Sequence, residues 1–413
     1  MWKLTKVAAV AAALAAAVAA HAGEVEVLHY WTSGGEAKSA AELKKMMQAK
    51  GHTWRDFAVA GGGGDSAMTV LKSRVISGNP PSAAQVKGPA IQEWASEGVL
   101  GNMDALAKSE KWDEALPKVV ADVMKYKGNY VAAPVNVHRV NWIWASSDAL
   151  KKAGVAAMPK TWDEFFAAAD KLKAAGLIPV AHGGQNWQDF TTFESVVLGV
   201  GGPKFYQDAL VKLDDKALTS DTMKKSLETF RRIKAYTDPG APGRDWNLAT
   251  AMLIQGKAGF QLMGDWAKGE FIAAGKAPGK DFMCAAAPGT ANAFTFNVDS
   301  FILFKLKDAA AQKAQSDLAS AIMSPGFQEV FNLNKGSIPV RAGQSMDKFD
   351  DCAKASAKDF ADTAKSGGLV PSVAHGMAIA PATEGAIKDA VSQFWNDDKV
   401  SVADAMKKIA TAA

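Results

Sequence analysis

The residues that follow an N-terminal apolar run alternate between strand patterns and helix patterns. Strand-like segments occupy residues 25–30, 53–60 and 82–86, and apolar residues at helical spacing separate them. A β-α-β-α-β order of this kind predicts a parallel sheet with right-handed crossovers, and therefore an α/β fold. In such folds, ligands bind beyond the carboxyl ends of the strands.

Aromatic and charged residues follow the predicted strand ends. Trp31 ends the first strand, and a small polar and glycine loop leads to Glu36 at the start of a helix. Trp266 follows another predicted strand, residues 258–263, in the sequence Gly-Asp-Trp. A flat apolar ring beside a carboxylate suits a ligand with an apolar face and hydroxyl donors. A sugar is such a ligand.

Residues 1–22 have the pattern of a cleavable leader. Lys3 and Lys6 precede an apolar run over residues 7–20, and Ala20-His21-Ala22 fits the small-x-small rule for cleavage. The run is shorter than the roughly 20 residues that a membrane-spanning helix needs. We therefore expect export to the periplasm and a mature chain that begins near Gly23.

The rest of the chain is long enough for two domains. Its charge and its histidine spacing disfavour several classes of partner. The net charge of +4 and the absence of a long basic block disfavour nucleic acid as the main partner. The six histidines are scattered without metal-ligand spacing, so no metal or other cofactor is expected. The run of glycines at 61–64 lacks the G-K-[S/T] of a phosphate-binding loop, which leaves close backbone approach or a flexible turn.

The chain has two cysteines, Cys284 and Cys352. An exported protein meets an oxidising environment, so a disulfide between them is the leading prediction. Two separate buried thiols are the alternative.

Two segments resemble the extracellular solute-binding proteins of ABC importers. The first, residues 141–181, reads NWIWASSDALKKAGVAAMPKTWDEFFAAADKLKAAGLIPVA and contains a helix-capping box at Thr161 and Glu164. The second, residues 256–271, reads GKAGFQLMGDWAKGEF and looks like a strand, loop and helix with a sugar-stacking tryptophan. The resemblance is greatest to the maltose-binding-related branch, and within it to Gram-negative glucose/mannose-binding proteins.

The resemblance implies an α/β, two-lobed periplasmic-binding-protein fold with a hinge and an interlobe ligand cleft. It also implies a monomer that closes on a small sugar and docks on a membrane permease. Three crossovers between the lobes are expected near Pro134, Ser300 and Val340. The resulting boundaries are 23–133 plus 301–340 for the N-terminal lobe and 134–300 plus 341–413 for the C-terminal lobe.

Ten residues are candidate sugar contacts, because they are aromatic or polar near strand ends or match ligand positions of the family. Each has a structural alternative. The alternatives are core packing for the tryptophans and His375, a helix N-terminal carboxylate for Glu36, a surface lysine with a neighbouring glutamine for Lys87 and Gln85, a turn lysine for Lys335, and internal hydrogen bonds for Asn297 and Asp299. The resemblance in particular implies a sugar-binding lysine and a ligand histidine among them. The ten are Trp31, Glu36, Gln85, Lys87, Trp246, Trp266, Asn297, Asp299, Lys335 and His375.

The predicted function is a high-affinity periplasmic receptor for a monosaccharide, with glucose as the leading ligand. A disaccharide or oligosaccharide receptor is the alternative, because Trp187 and Trp246 would supply further stacking surfaces. An exported glycoside hydrolase is a third hypothesis, but no pair of carboxylates stands out at strand ends. We therefore predict no catalytic residues, and a sugar that biases the hinge by binding the closed form better.

Overall fold

A computed structural model describes residues 22–413, so all of the predicted leader except Ala22 lies outside the described residues. The strands are β1 (Glu24–His29), β2 (Thr53–Ala58), β3 (Ala83–Gln85), β4 (Lys125–Tyr126), β5 (Asn129–Tyr130), β6 (Ala132–Pro134), β7 (His138–Arg139), β8 (Trp142–Ser146), β9 (Ile178–Val180), β10 (Ala258–Leu262), β11 (Phe282–Ala286), β12 (Phe294–Asn297), β13 (Ser300–Leu303) and β14 (Leu369–Pro371).

Helices surround these strands, and none that lies within residues 22–413 is long and apolar enough to cross a membrane. They are α1 (Gly34–Ala49), α2 (Asp65–Ile76), α3 (Pro89–Ser96), α4 (Asp104–Ser109), α5 (Trp112–Ala115), α6 (Lys118–Val123), α7 (Ser147–Lys152), α8 (Trp162–Ala174), α9 (Asn186–Tyr206), α10 (Asp215–Leu218), α11 (Asp221–Lys234), α12 (Trp246–Ile254), α13 (Trp266–Ala273), α14 (Ala309–Met323), α15 (Pro325–Lys335), α16 (Asp351–Ser366), α17 (Pro381–Asn396) and α18 (Val402–Ala412).

The first sheet confirms the parallel start predicted from the sequence. Its strand order is β2-β1-β3-β13-β6, and β1 runs parallel to both β2 and β3. Strand β13 is antiparallel to both of its neighbours. Val25, Val27 and Leu28 of β1 are fully buried, as expected for a strand with helices on both faces of its sheet.

A second hydrophobic core lies on one face of the sheet β11-β8-β10-β9 and includes Val370 of β14. A smaller cluster with Trp142, Trp144 and Phe282 lies on the other face of that sheet. Phe165 and Phe260 pack in the second core at a ring-centroid distance of 5.5 Å, and Phe193 packs edge-on against Phe230 at 5.3 Å. These aromatic contacts join α8 to β10 of the second sheet and α9 to α11. The two cores give the molecule two α/β units.

The segments near the three predicted crossovers lie side by side. Pro134 of β6 pairs with Ser300 of β13, and Val137 forms an isolated bridge with Ile338. These pairs lie close to the three predicted crossovers. The lobe boundaries stay a prediction, and Phe360 of α16 packs in the first core although the expected boundary assigns it to the C-terminal lobe.

The predicted helix-capping box lies at the start of α8. Thr161 Oγ1 accepts a hydrogen bond from the backbone N–H of Glu164 at 3.2 Å. The Glu164 carboxylate reaches back and accepts from the N–H of Lys160 at 2.7 Å, one residue before the expected partner. Both bonds satisfy amides that the helix leaves free, which fixes where α8 begins.

The predicted disulfide is confirmed. Cys284 in β11 is bonded to Cys352 in α16, and the two residues lie 68 positions apart in the sequence. Cys352 is buried, and its neighbour Ala353 packs in the first core. The bond therefore ties a strand of the second sheet to a helix that contacts the first core.

We expect the double variant Cys284→Ser/Cys352→Ser to lose about 2–4 kcal/mol of unfolding free energy, because a disulfide that closes a long loop restricts the unfolded chain. Denaturant titration of the oxidised wild type and the variant measures the difference. Wild type in reducing agent is the control and should match the variant. Equal denaturation midpoints for the oxidised wild type and the variant would contradict the expectation.

Candidate functional site

A cavity of about 770 Å³ lies between the two cores, and all ten predicted contact residues line it. Loops after β1 and β3 form one side, and the N-termini of α9, α12 and α13 form part of the other. The volume falls in the usual range for small-molecule sites. The structure places the ten residues around one cavity, whereas their roles as ligand contacts stay predictions.

Trp31 belongs to the core and to the cavity wall at once. Its side chain is 2% exposed, and its ring contacts Phe301 edge-on at 5.4 Å and Phe331 at 5.1 Å. This packing fixes the ring orientation. The ring therefore presents a rigid surface to the cavity at little cost in side-chain entropy on binding.

Glu36 and Lys335 form an ion pair at the cavity wall, with 2.6 Å between Nζ and Oε1. Glu36 lies in the first turn of α1, where its other carboxylate oxygen accepts from the N–H groups of Thr32 and Ser33. Lys335 is the last residue of α15. Carboxylates are favoured at helix N-termini and cations at C-termini, so the two helix ends stabilise both charges.

Asp299 is the centre of a buried polar network. His138 Nε2 lies 2.9 Å from its Oδ2, and Gln85 Nε2 donates to its Oδ1 at 3.3 Å. The ammonium of Lys87 lies 3.8 Å from the same Oδ1. His138 Nδ1 bonds in turn to the carboxylate of Asp265. The network therefore meets the requirement that a buried carboxylate be paired.

The network also sets the charges of its members. Burial alone would lower the pKa of His138, but the carboxylates of Asp265 and Asp299 outweigh it and raise the pKa above the usual value. Burial alone would raise the pKa of Asp299, but His138 and Lys87 hold that pKa well below its usual range. Both ring nitrogens of His138 face carboxylates, which favours the imidazolium form, and Asp299 accepts hydrogen bonds only.

Each residue of the Gly-Asp-Trp sequence after β10 has a different structural role. A Cβ on Gly264 would lie 2.1 Å from the ring of Trp266, so only glycine leaves room for the ring. Asp265 accepts from the N–H of Arg139 at 2.9 Å and bonds to His138. Trp266 begins α13 and stands in the cavity wall.

An aromatic wall surrounds Trp266. Its ring centroid lies 4.9 Å from that of His375, 5.1 Å from that of His138 in an edge-on arrangement, and 6.5 Å from that of Trp187. Trp246, at the start of α12, is half-buried at another part of the lining. Burial lowers the pKa of His375 to about 4, so its ring is neutral at neutral pH.

Asn297 contributes an unsatisfied acceptor to the lining. The residue ends β12 and is 2% exposed, and its Oδ1 has no hydrogen-bond partner among residues 22–413. A buried carbonyl oxygen without a partner costs about 1–3 kcal/mol. A ligand hydroxyl that donates to this oxygen would recover that free energy.

Glycines bring the two sides of the cavity into backbone contact. A Cβ on Gly88, which follows Lys87, would lie 2.0 Å from the carbonyl oxygen of Gly376, which follows His375. On the other rim, Gly63 lies against the ring of Trp187 and requires a positive φ of 61°. The glycine run at 61–64 therefore provides close backbone approach, one of the two roles expected for it.

Several lining residues were not assigned from the sequence. The role of His138 was not predicted because its partners lie more than 120 positions away in the sequence. The one available signal was the pair His138-Arg139, which interrupts an apolar run. Within the described part of the chain, no group of three or more potential ligands could hold a metal ion. Unassigned lining residues include Tyr30, Asp65, His138, Asn186, Glu384 and Lys388.

Comparison with known proteins places this site in a family. The family model described as bacterial extracellular solute-binding protein matches residues 31–320. The chain belongs to this family. The two-lobed α/β binding-protein fold expected from the sequence is confirmed by the cores, the sheets and this membership.

Several relatives and solved structures match this chain over almost its whole length. A probable sugar-binding periplasmic protein of Brucella suis is 48% identical over 100% of this chain and 99% of the relative. One of the same description from Rhizobium meliloti is 49% identical over 96% of each chain. The solute receptor AcbH, described as preferring β-D-galactopyranose exclusively, matches with a TM-score of 0.78 and 19% identity over 94% of this chain and 98% of AcbH.

The raised pKa of His138 predicts a pH dependence of stability. Below about pH 6.5 the histidine is protonated in both the folded and the unfolded chain, and its stabilising effect is fully present. As the pH rises through the raised pKa of the folded state, the imidazolium is lost and so is this contribution. We expect the wild type to lose unfolding free energy relative to His138→Gln as the pH rises over this window.

Denaturant titrations of both proteins at about pH 6 and pH 9, at equal ionic strength, measure this difference. Glutamine is the matched substitution because it keeps a hydrogen-bond donor but does not titrate. A stability difference that is the same at both pH values would show that His138 does not carry the shared charge.

Proposed function

We propose that this protein is a periplasmic sugar receptor that binds a monosaccharide, with glucose as the leading ligand, and delivers it to the permease of an ABC importer. One observation carries the proposal: aromatic rings and charge-paired polar groups surround a single cavity between the two cores. A pyranose has an apolar C–H face that stacks on such rings and hydroxyls that bond to such groups. The names of the sugar-binding relatives agree with this chemistry.

The cavity offers both hydrogen-bond donors and hydrogen-bond acceptors to sugar hydroxyls. Glu36, Asp299 and Asn297 offer acceptor oxygens, while Lys87 and Lys335 offer N–H donors. The two carboxylates are already paired with cations, so a neutral ligand need not bring a compensating charge. This arrangement favours an uncharged polyhydroxylated ligand over an anion or a cation.

The size of the cavity bears on the length of the sugar. AcbH has a similar fold and is described as preferring β-D-galactopyranose, which is a monosaccharide, but a chitin oligosaccharide binding protein matches with the same TM-score of 0.78. The cavity of about 770 Å³ extends to Trp187 and Trp246 and leaves a disaccharide as the second candidate. In either case the ligand contacts both sides and stabilises the closed arrangement.

A glycoside hydrolase is less consistent with the charges. Such an enzyme needs a carboxylic acid that keeps its proton near neutral pH. The pKa of Asp299 is shifted in the opposite direction, and Glu36 is paired with a lysine. Burial does raise the pKa of Glu384, but the ammonium of Lys388 lies 3.1 Å from its carboxylate and opposes the shift. The family is also one of binding proteins.

A thermal-shift panel on residues 23–413 tests the proposal. It contains glucose, mannose, galactose, xylose, maltose and cellobiose, and each sugar is analysed for cleavage afterwards. A ligand at about 100 times its Kd stabilises the folded state by about 2.7 kcal/mol, which raises the melting temperature measurably. A shift with an intact monosaccharide supports the proposal, and a shift with disaccharides alone favours the second candidate. Cleavage would indicate a hydrolase, and no shift with any sugar would overturn the proposal.

We expect Trp266→Ala to weaken binding of the monosaccharide identified in this panel by ~1–3 kcal/mol, because a buried aromatic contact is lost. Isothermal titration calorimetry measures the affinity. Trp94→Ala is the matched control, since Trp94 packs on Phe304 outside the cavity and should leave the affinity unchanged. Equal affinities for Trp266→Ala and Trp94→Ala would remove Trp266 from the binding surface.

A further inference from the structure

A buried carboxylate behind the aromatic wall holds the loop that carries His375. Glu194 of α9 is fully buried, and its Oε2 accepts from the backbone N–H groups of Val373 at 2.9 Å and Ala374 at 3.1 Å. The hydroxyl of Tyr206 lies 2.8 Å from the same oxygen. Backbone N–H groups only donate, and several donors favour the ionised carboxylate. Glu194 therefore offers lone pairs to its remaining neighbour.

That neighbour is Ser372, which lies between Glu194 and His375. Its Oγ is 2.6 Å from Glu194 Oε1 and 2.8 Å from His375 Nδ1. A serine hydroxyl has one proton, and an ionised carboxylate can only accept, so this proton is donated to Glu194. Ser372 Oγ must then accept from His375, which places the ring proton of His375 on Nδ1.

The other ring nitrogen therefore has no close donor among residues 22–413 and is a free acceptor. His375 is neutral at neutral pH because burial lowers its pKa to about 4, so a proton on Nδ1 leaves Nε2 with a lone pair. The nearest hydroxyl, that of Thr191, lies 3.5 Å from Nε2 and donates to the carbonyl of Trp187 at 2.8 Å. This contact is too long to satisfy the lone pair.

We propose that Glu194 and Ser372 are positioning residues that fix His375 in its Nδ1–H tautomer. In this tautomer Nε2 accepts a hydrogen bond from a hydroxyl of the bound sugar. The identity of the ligand rests on the proposed function, whereas the tautomer is a property of the sugar-free protein. The ligand must then present a free O–H to His375. A sugar with fluorine or a methyl ether at that position has no proton to donate and is rejected.

The first test measures the tautomer directly. Long-range ¹H–¹⁵N correlation spectra of sugar-free protein at pH 7 distinguish a protonated from an unprotonated ring nitrogen, and His375→Gln identifies the signals of this residue. We expect Nδ1 to be protonated and Nε2 to be bare. A ring protonated at Nε2, or at both nitrogens, would overturn the proposal whether or not any sugar binds.

The second test reverses the tautomer with an isosteric change. In Glu194→Gln, the amide oxygen can take the place of Oε2, and the amide N–H₂ then donates to Ser372. Ser372 in turn donates to Nδ1, which moves the ring proton of His375 to Nε2. We expect the reversed spectrum and a weaker affinity for glucose, because the sugar hydroxyl must then rotate to accept from Nε2–H and can no longer donate to that nitrogen.

Tyr206→Phe is the matched control, since it leaves the carboxylate and its bond to Ser372 in place and should keep the wild-type tautomer. A folded Glu194→Gln protein with the wild-type spectrum would contradict the proposal. Should this variant not fold, Ser372→Ala removes the acceptor of the Nδ1 proton, and both tautomers should become populated. A wild-type spectrum in Ser372→Ala would also count against the proposal.

Deoxyfluoro glucoses separate this inference from the proposed function. Fluorine at the ring position whose hydroxyl contacts His375 should weaken binding to the wild type about tenfold or more. The same substitution should weaken binding to Glu194→Gln much less, because Nε2–H of that variant can donate to the fluorine. Fluorine effects that are equal in both proteins at every position would overturn the inference and leave the sugar receptor intact. If no sugar binds, the proposed function fails and the measured tautomer still decides the role of Glu194.

Discussion

The buried side chain of His138 is the group on which the arrangement of the cavity depends. It bonds to Asp265 after β10 and to Asp299 before β13, so three distant parts of the chain meet at one ring. Two carboxylates buried at one ring need compensating charge, and they raise the pKa of the His138 imidazole. The positions of Trp266 and of the Asp299 carboxylate both depend on this ring. Charge balance and cavity shape are therefore set by the same residue.

The other groups of the cavity are fixed by the ends of regular elements. Glu36 lies at a helix N-terminus and Lys335 at a helix C-terminus, where the backbone stabilises their charges. Lys87 and Asn297 lie at or just beyond strand ends, where side chains project past the sheets. Such positions leave few rotamers free. The site is thus largely ordered before a ligand arrives, which limits the entropy lost on binding.

Much of this arrangement was predictable because its signals are local. A strand followed by Trp31 or by Gly-Asp-Trp can be recognised within ten residues, and two cysteines in an exported chain predict a disulfide. The role of His138 could not be predicted, since its partners come from the far ends of other segments and its strand has two residues. The hydrogen-bond direction at His375 likewise depends on Glu194, which lies inside a long apolar helix. Identity of the sugar depends on hydroxyl geometry, which no sequence pattern encodes.

The backbone contact between Gly88 and Gly376 has a consequence for the free energy of closure. Side chains that meet across a closing interface usually lose rotamer freedom, and each one that does so subtracts from the affinity. Two glycines have no rotamers to lose, so the edges that carry Lys87 and His375 can meet without that penalty. Between them the two glycines add no side-chain contact. The preference for closure is thereby left to the occupant of the cavity, as a receptor that must report occupancy requires.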